Sequence, residues 1–209
     1  MSNRPQTGEQ VLCRPVPAGA FERYTARPAR SLDDYQKMVS IRAAVFMAEQ
    51  ACPYEEEFDG NDLCATHFLV FDGPDAVGTL RMRWFAGFAK LERVALLRGQ
   101  RGRPALQVML AEAFEYATRK GYRMMIAQIQ ARLGPVWSRT FRCRISADRP
   151  RFWFSDFEYL EIEIPLPEHP HALTPKSAPM VMIRPEGNWD EPGVLDASVA
   201  RSEQSDVAA

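Results

Sequence analysis

Residues 91–120 of this 209-residue chain, LERVALLRGQRGRPALQVMLAEAFEYATRK, constrain the fold more than any other stretch. Residues 91–97 form a short apolar run, compact enough for a buried strand. Residues 98–103 are a turn holding three arginines and two glycines. From Pro104 onward Leu106, Met109, Leu110, Ala113, Phe114 and Ala117 fall on one face of a 3.6-residue period, which predicts an amphipathic helix. Pro104 suits the first helical position, where its missing N–H costs nothing. A glycine-bearing turn that opens a helix presents unpaired N–H groups at the positive end of the dipole. That is an anion site suited to phosphate or pyrophosphate, strengthened here by Arg98, Arg101 and Arg103. No Gly-Lys-Ser/Thr follows, so the turn is not a nucleotide-triphosphate loop. There is no Gly-x-Gly-x-x-Gly, which argues against dinucleotide binding. An ordinary strand–turn–helix with a solvated basic turn explains the same residues equally well.

The length suits one domain with appendages, and 46% hydrophobic residues allow a substantial core. A net charge of −1 gives no reason to expect nucleic acid or an anionic membrane as a partner. No apolar run is long enough to span a bilayer. The opening MSNRPQTGEQ lacks the apolar segment of a secretory signal, so a cytoplasmic location is expected. Cys13, Cys52, Cys64 and Cys143 show neither CxxC spacing nor histidines at zinc spacing. They read as reduced thiols, and no metal site is expected.

In chain order, residues 1–20 are rich in Pro and Gly and read as a flexible arm. Residues 21–27 can form a first strand. Ser31 opens a helix over 32–50 with Leu32, Tyr35, Val39 and Phe46 on its apolar face; Arg42 and Glu49 fall on the same inward stripe. Residues 51–62, ACPYEEEFDGND, form an acidic loop. Strands at 66–72 and 76–85 make a hairpin around Asp72-Gly73-Pro74-Asp75. Gly121 ends the long helix, 122–128 is a strand, 135–141 a short helix and 142–146 a further strand. Residues 151–166 are aromatic and then alternate Leu160, Ile162 and Ile164 with glutamates. This is the period of one or two strands at a sheet edge or flank. Residues 179–184 suggest another strand, and 186–209 are polar and extended or disordered. The order of elements is that of a mixed α/β sheet.

Residues 41–62, IRAAVFMAEQACPYEEEFDGND, make the reading specific. They resemble small bacterial members of the GNAT N-acyltransferase superfamily whose first helix carries LRxxVFxxEQxCPYxxxDxxD. Arg42, Val45, Phe46, Glu49, Gln50, Cys52, Pro53, Tyr54, Asp59 and Asp62 match. His67, Arg93-Val94 and Gln128 follow at the corresponding places, so the resemblance spans roughly 31–145. The family's acyl-coenzyme A loop reads Arg/Gln-x-x-Gly-x-Gly/Ala. Arg101 and Gly102 fit it, whereas Pro104 and Leu106 stand where small residues are usual, and Pro104 removes one backbone donor. Part of the pattern, Arg42, Phe46 and Glu57-x-Asp59-x-x-Asp62, is shared with the acyl-homoserine-lactone synthases.

The resemblance implies a GNAT-type α/β domain over 21–166, followed by a C-terminal extension over 167–209. Its mostly antiparallel sheet would be splayed between the fourth and fifth strands and flanked by helices. It implies acetyl-CoA or another acyl-CoA as co-substrate and a small-molecule or protein amine as acceptor, and it is compatible with a homodimer. Pantetheine would pair with the backbone at Val94, Ala95 and Leu96, and the pyrophosphate would lie over Arg101, Gly102, Arg103, Pro104 and Ala105. Glu92, taken to share a face with Val94 and Leu96, is the first candidate base; a surface pair with Lys90 or Arg93 is the plainer reading. His67 is the second, by its ordinary pKa, against a structural histidine. Arg42, Phe46, Glu49, Glu57, Asp59 and Asp62 would shape the acceptor side, with Arg42 paired to one of the three acids. The family's usual acid, a tyrosine after the fifth strand, aligns with Trp137, whose indole cannot supply that proton. The alternatives are a lactone-synthase-like enzyme using an acyl carrier protein or acyl-CoA, and a binding or regulatory module with little catalysis.

Overall fold

The computed structural model describes residues 7–12, 14–198 and 201. Residues 1–169 and 170–209 form two separate compact units. The first holds one eight-stranded sheet, in which β1 (Tyr24–Pro28), β2 (Thr66–Asp72), β3 (Asp75–Phe85) and β4 (Phe88–Leu96) run as an antiparallel meander. β5 (Met124–Gln130) joins β4 in parallel. β8 (Phe157–Pro165) lies against β5, and β6 (Arg144–Ile145) and β7 (Phe152–Phe154) pair with the far side of β8. The chain therefore has the GNAT fold: a mixed, mostly antiparallel open sheet with one parallel junction.

The front face of the sheet carries α2 (Leu32–Arg42), which follows the helical turn α1 (Ala20–Arg23). The Ser31 side chain caps α2 by accepting the Asp34 N–H at 3.1 Å. Met38, Ile41 and Val45 pack on Leu69, Phe71 and Ala95. The expected stripe is thus rotated: Leu32 is 73% exposed, while Tyr35, Val39 and Phe46 only flank the core. From Ala43 to Ala48 the helix widens into a π-turn, and the extra residue swings Glu49 off the inward stripe, against the sequence expectation. Ala51 then takes a positive φ of 54°, which turns the chain into the short acidic helix α3 (Tyr54–Glu57).

The back face carries α4 (Ala105–Arg119), and both Phe68 and Trp84 meet Tyr116. Its outer side is covered too. Residues 7–12, expected to be part of a loose arm, lie along α4, with Val11 and Leu12 buried. Both the Thr7 and Gly8 N–H groups donate to Glu115 Oε2 at 2.9 Å. Residues 1–6 and Cys13 lie outside the described residues, as does most of the tail beyond Ser198. Next to α4, α5 (Gly134–Thr140) buries Trp137 against Phe141. In the second unit PMVMI is a helix, α6 (Pro179–Ile183), where a strand was expected. Pro179 stands in its first turn, the position proline tolerates best. Cys52 and Cys64 are free thiols. Among the described residues no helix is long and apolar enough to cross a membrane.

Candidate active site

β4 and β5 pair over only three positions, Ala89↔Met125, Lys90↔Ile126 and Leu91↔Ala127, and then part. The cause lies on β4. Thr79 faces Ala95, but Arg81 faces Glu92, so β4 carries a bulge between them, with Arg93 at φ 51°. The bulge bends β4 away and leaves a gap whose lips are residues 93–96 and 128–130. It also breaks the alternation of side chains. Ala95, not Val94 or Leu96, shares the front face with Glu92, which corrects the expected facing.

The front of the gap is built from charge. Arg42, wholly buried, reaches Glu57 through Nε and Asp62 through Nη1 at 2.6 Å, and donates to the Glu57 carbonyl at 2.7 Å. Arg81, 1% exposed, binds Asp59 at 2.7 Å, Asp62 at 2.8 Å and Glu92 at 2.7 Å. Arg93 closes the cluster with Glu57 at 3.2 Å, Asp59 at 3.3 Å and the Glu56 carbonyl at 2.7 Å. Burying the four charges of Arg42, Arg81, Glu57 and Asp62 is tolerable only because each meets opposite partners. The expected pairing of Arg42 with the acidic loop is present, with two of the three acids. Phe46 flanks the same core.

Burial raises the carboxyl of Asp62, and the Arg42 and Arg81 guanidinium groups overcome it, holding Asp62 below the usual carboxylate range; Asp59 is lowered in the same way by Arg81. Glu92 also settles below its ordinary value, since Lys90, at 2.6 Å, and Arg81 outweigh its burial. His67 is neutral: burial lowers its pKa, and its Nε2 donates to the Asp62 carbonyl at 3.0 Å. Its Nδ1 has no partner.

The basic turn folds as a short 3-10 stretch, Arg98–Gln100, leading to Gly102 at φ 76° and Pro104 at the N-cap of α4. The N–H groups of Arg101 and Arg103 bond to the Arg98 and Gln100 carbonyls, and Pro104 has none. Ala105, Leu106 and Gln107 open the helix without intrahelical carbonyl partners, and no side chain caps it. Arg98 and Arg103 face solvent, whereas Arg101 donates to Glu49 at 2.7 Å and to the Leu96 carbonyl at 3.2 Å. Glu49, expected on the acceptor side, therefore stands at the basic turn.

Sequence reading passed over several residues at the gap. Arg81 gives no local signal, because its acidic partners lie 11 to 22 residues away. At the end of β5, Gln130 binds Gln50 at 3.0 Å and Arg132 at 2.8 Å. The β7–β8 turn places Ser155 on Glu56, and 3.2 Å from Cys52 Sγ. Its two central residues, Ser155 and Asp156, take φ 44° and 63°, the hand a two-residue hairpin needs.

A parallel strand pair opened by a bulge thus ends on a basic turn and an uncapped helix. No family model matches the chain. The uncharacterised N-acetyltransferase YjcF of Bacillus subtilis is 28% identical over 111 residues, covering 53% of this chain and 79% of that protein. A second B. subtilis protein, named as an acetyltransferase, is 38% identical over 74 residues, 34% of this chain and half of that one. An acyl-CoA N-acyltransferase of Pseudomonas aeruginosa superposes with a TM-score of 0.57 at 21% identity, covering 67% of this chain and 97% of its own. The chain is thus similar in sequence to named N-acetyltransferases and shares the fold of the GNAT acyltransferases.

Proposed function

We propose that this protein transfers an acyl group, acetyl in the simplest case, from acyl-coenzyme A to the amine of a small molecule. The observation that carries this reading is the gap between β4 and β5. Past Leu91 and Ala127 the facing backbone edges of the two strands are no longer paired with each other, so an extended pantetheine arm can pair with residues 94–96. The open N–H groups of Ala105–Gln107, with Arg98 and Arg103, suit the phosphates at the far end. The amine would attack the thioester from the front, under the cluster of Arg42, Arg81 and Arg93.

Glu92 and His67 remain the candidates for proton removal, in different ways. Glu92 is held by Lys90 and Arg81, so it would take the amine's proton through a water. His67 is neutral at physiological pH, with a free Nδ1, yet sits two strands away from the gap. A screen of acyl-CoA chain lengths against pooled amines, read as thiol release, tests the activity. No release with any pair would count against it.

A second reading concerns the donor alone. Pro104 has no N–H and Leu106 carries a side chain where the family's loop is small, which weakens the pyrophosphate cradle. A thioester held on a carrier protein needs no such cradle. Faster release from acyl carrier protein than from acyl-CoA would select it.

A further inference from the structure

The acyltransferase reading leaves one proton unassigned. When the C–S bond breaks, the electron pair goes to sulfur, and the thiolate must be protonated or stabilised as it departs. Trp137, at the place where a tyrosine is usual, is 6% exposed and packed on Phe141 with centroids 4.8 Å apart; an indole donates no such proton.

A phenol reaches the gap from another strand. Tyr159 of β8 stands opposite Gln130, the last residue of β5, beyond the point where β5 has left β4. Leu160, Ile162 and Ile164 turn to the buried side of the sheet. Tyr159 therefore shares the front face with Gln130 and with Glu161, which binds Gln128 at 2.7 Å. Its ring is held by the hairpin, stacked on Phe152 at 5.7 Å and edge-on to Phe154 at 5.8 Å. Phe154 in turn lies under the Arg93 guanidinium at 5.4 Å, so β7 ties Tyr159, beside the β5 lip, to the bulge residue on the β4 lip.

Gln130, across the strand pair from Tyr159, accepts from Arg132 through its Oε1 and donates to Gln50 through its amide nitrogen. We propose that Tyr159 donates the proton that the departing thiolate takes up, in place of the missing tyrosine on α5. The amine nitrogen forms the C–N bond, the C–S pair goes to sulfur, and sulfur takes the phenolic proton. The nitrogen's surplus proton returns to the phenolate through water, so the products are an amide and a thiol. Burial raises the Tyr159 pKa, which keeps the group protonated before the step, and Arg93 and Arg132 lie close enough to favour the phenolate after it.

The test separates this role from a packing role by the leaving group. Hydroxylamine serves as a small neutral amine, with acetyl-CoA as one donor and an acetyl ester of a nitro-substituted aryl thiol as the other. Only the alkyl thiolate of coenzyme A, whose thiol has a pKa of about 8.5 or above, needs a proton to leave. Tyr159→Phe should slow thiol release from acetyl-CoA about 100-fold, with the donor KM close to wild type, and leave release of the aryl thiol within a few-fold. Equal losses with both donors, or no loss with acetyl-CoA, would overturn the assignment. No thiol release by the wild-type chain from either donor, with hydroxylamine or with any amine of the pooled screen, would instead end the acyltransferase reading, and this role with it.

Discussion

Arg101 of the basic turn and Glu49 at the end of the π-turn form an ion pair of 2.7 Å, joining the turn to the first long helix. Arg101 also spends its Nε on the Leu96 carbonyl, so the guanidinium is aimed before any ligand arrives. An anion at the head of α4 must compete with the Glu49 carboxylate for it. Glu49→Gln should therefore tighten binding of coenzyme A several-fold in a calorimetric titration, and Arg101→Glu should weaken it far more than Arg83→Glu on the hairpin. Equal effects of the two arginine changes would mean that only bulk charge is being read.

Arg42 is a buried hub of the fold. It has no exposed surface, and its fork is shared between Glu57 and Asp62. Arg42→Met keeps the stem and leaves two buried carboxylates short of a cation, which costs about 3–5 kcal/mol by analogy with other broken buried pairs. The melting temperature should fall by more than ten degrees, with donor affinity falling alongside it. A variant that melts like wild type, but with a raised KM for the amine, would mean that Arg42 serves the acceptor and not the fold.

How far the sequence reached depends on the range of each signal. The strand, basic turn and helix over 91–120 are encoded locally, by period and by turn residues, and the structure departs from them by only a few residues. The pairing of Arg42 was legible because a charge on an inward helical stripe demands a partner. Glu49 was misplaced because AAVFMA reads as unbroken α-helix, and nothing in those six residues announces the π-turn. The bulge was hidden because Arg93 is an unlikely residue for positive φ; what holds it there is Glu57, Asp59 and the Glu56 carbonyl, all distant in sequence. Tyr159 looked like one more aromatic in a strand, and only register places it beside Gln130.

Glu112 on α4 makes stability depend on pH near neutrality. Burial, and then the neighbouring Glu115 carboxylate, push its pKa up to about 7, from 4.5 in an unfolded chain, against a small opposing effect of Arg30. Between those two values the folded state binds more protons than the unfolded one. Stability is therefore full below about pH 4.5 for this group and is lost as pH rises through 7, by roughly 3 kcal/mol at most. Melting curves from pH 5 to 8 should show a falling midpoint, and Glu112→Gln should flatten that slope and raise the midpoint at pH 8. A variant with the wild-type slope would place the titration elsewhere.

The last prediction concerns Gly8, which lies so close to α4 that a β-carbon there would stand 2.0 Å from the Ala111 carbonyl oxygen and 2.8 Å from the Glu115 nitrogen. Both obstacles are backbone of a buried helix and cannot turn aside. Gly8→Ala must therefore lift the segment from α4, loosening the two N–H bonds to Glu115 Oε2 and exposing Val11 and Leu12. The loss should be about 1–3 kcal/mol, the usual range for forcing atoms into a packed site. Gly99→Ala is the control, since nothing stands within 4 Å of a β-carbon there. The expected result is a lowered melting temperature and faster proteolysis before residue 20 for Gly8→Ala, and neither for Gly99→Ala. If Gly8→Ala melts with the wild type and resists the protease equally, residues 7–12 do not lie against α4 in solution.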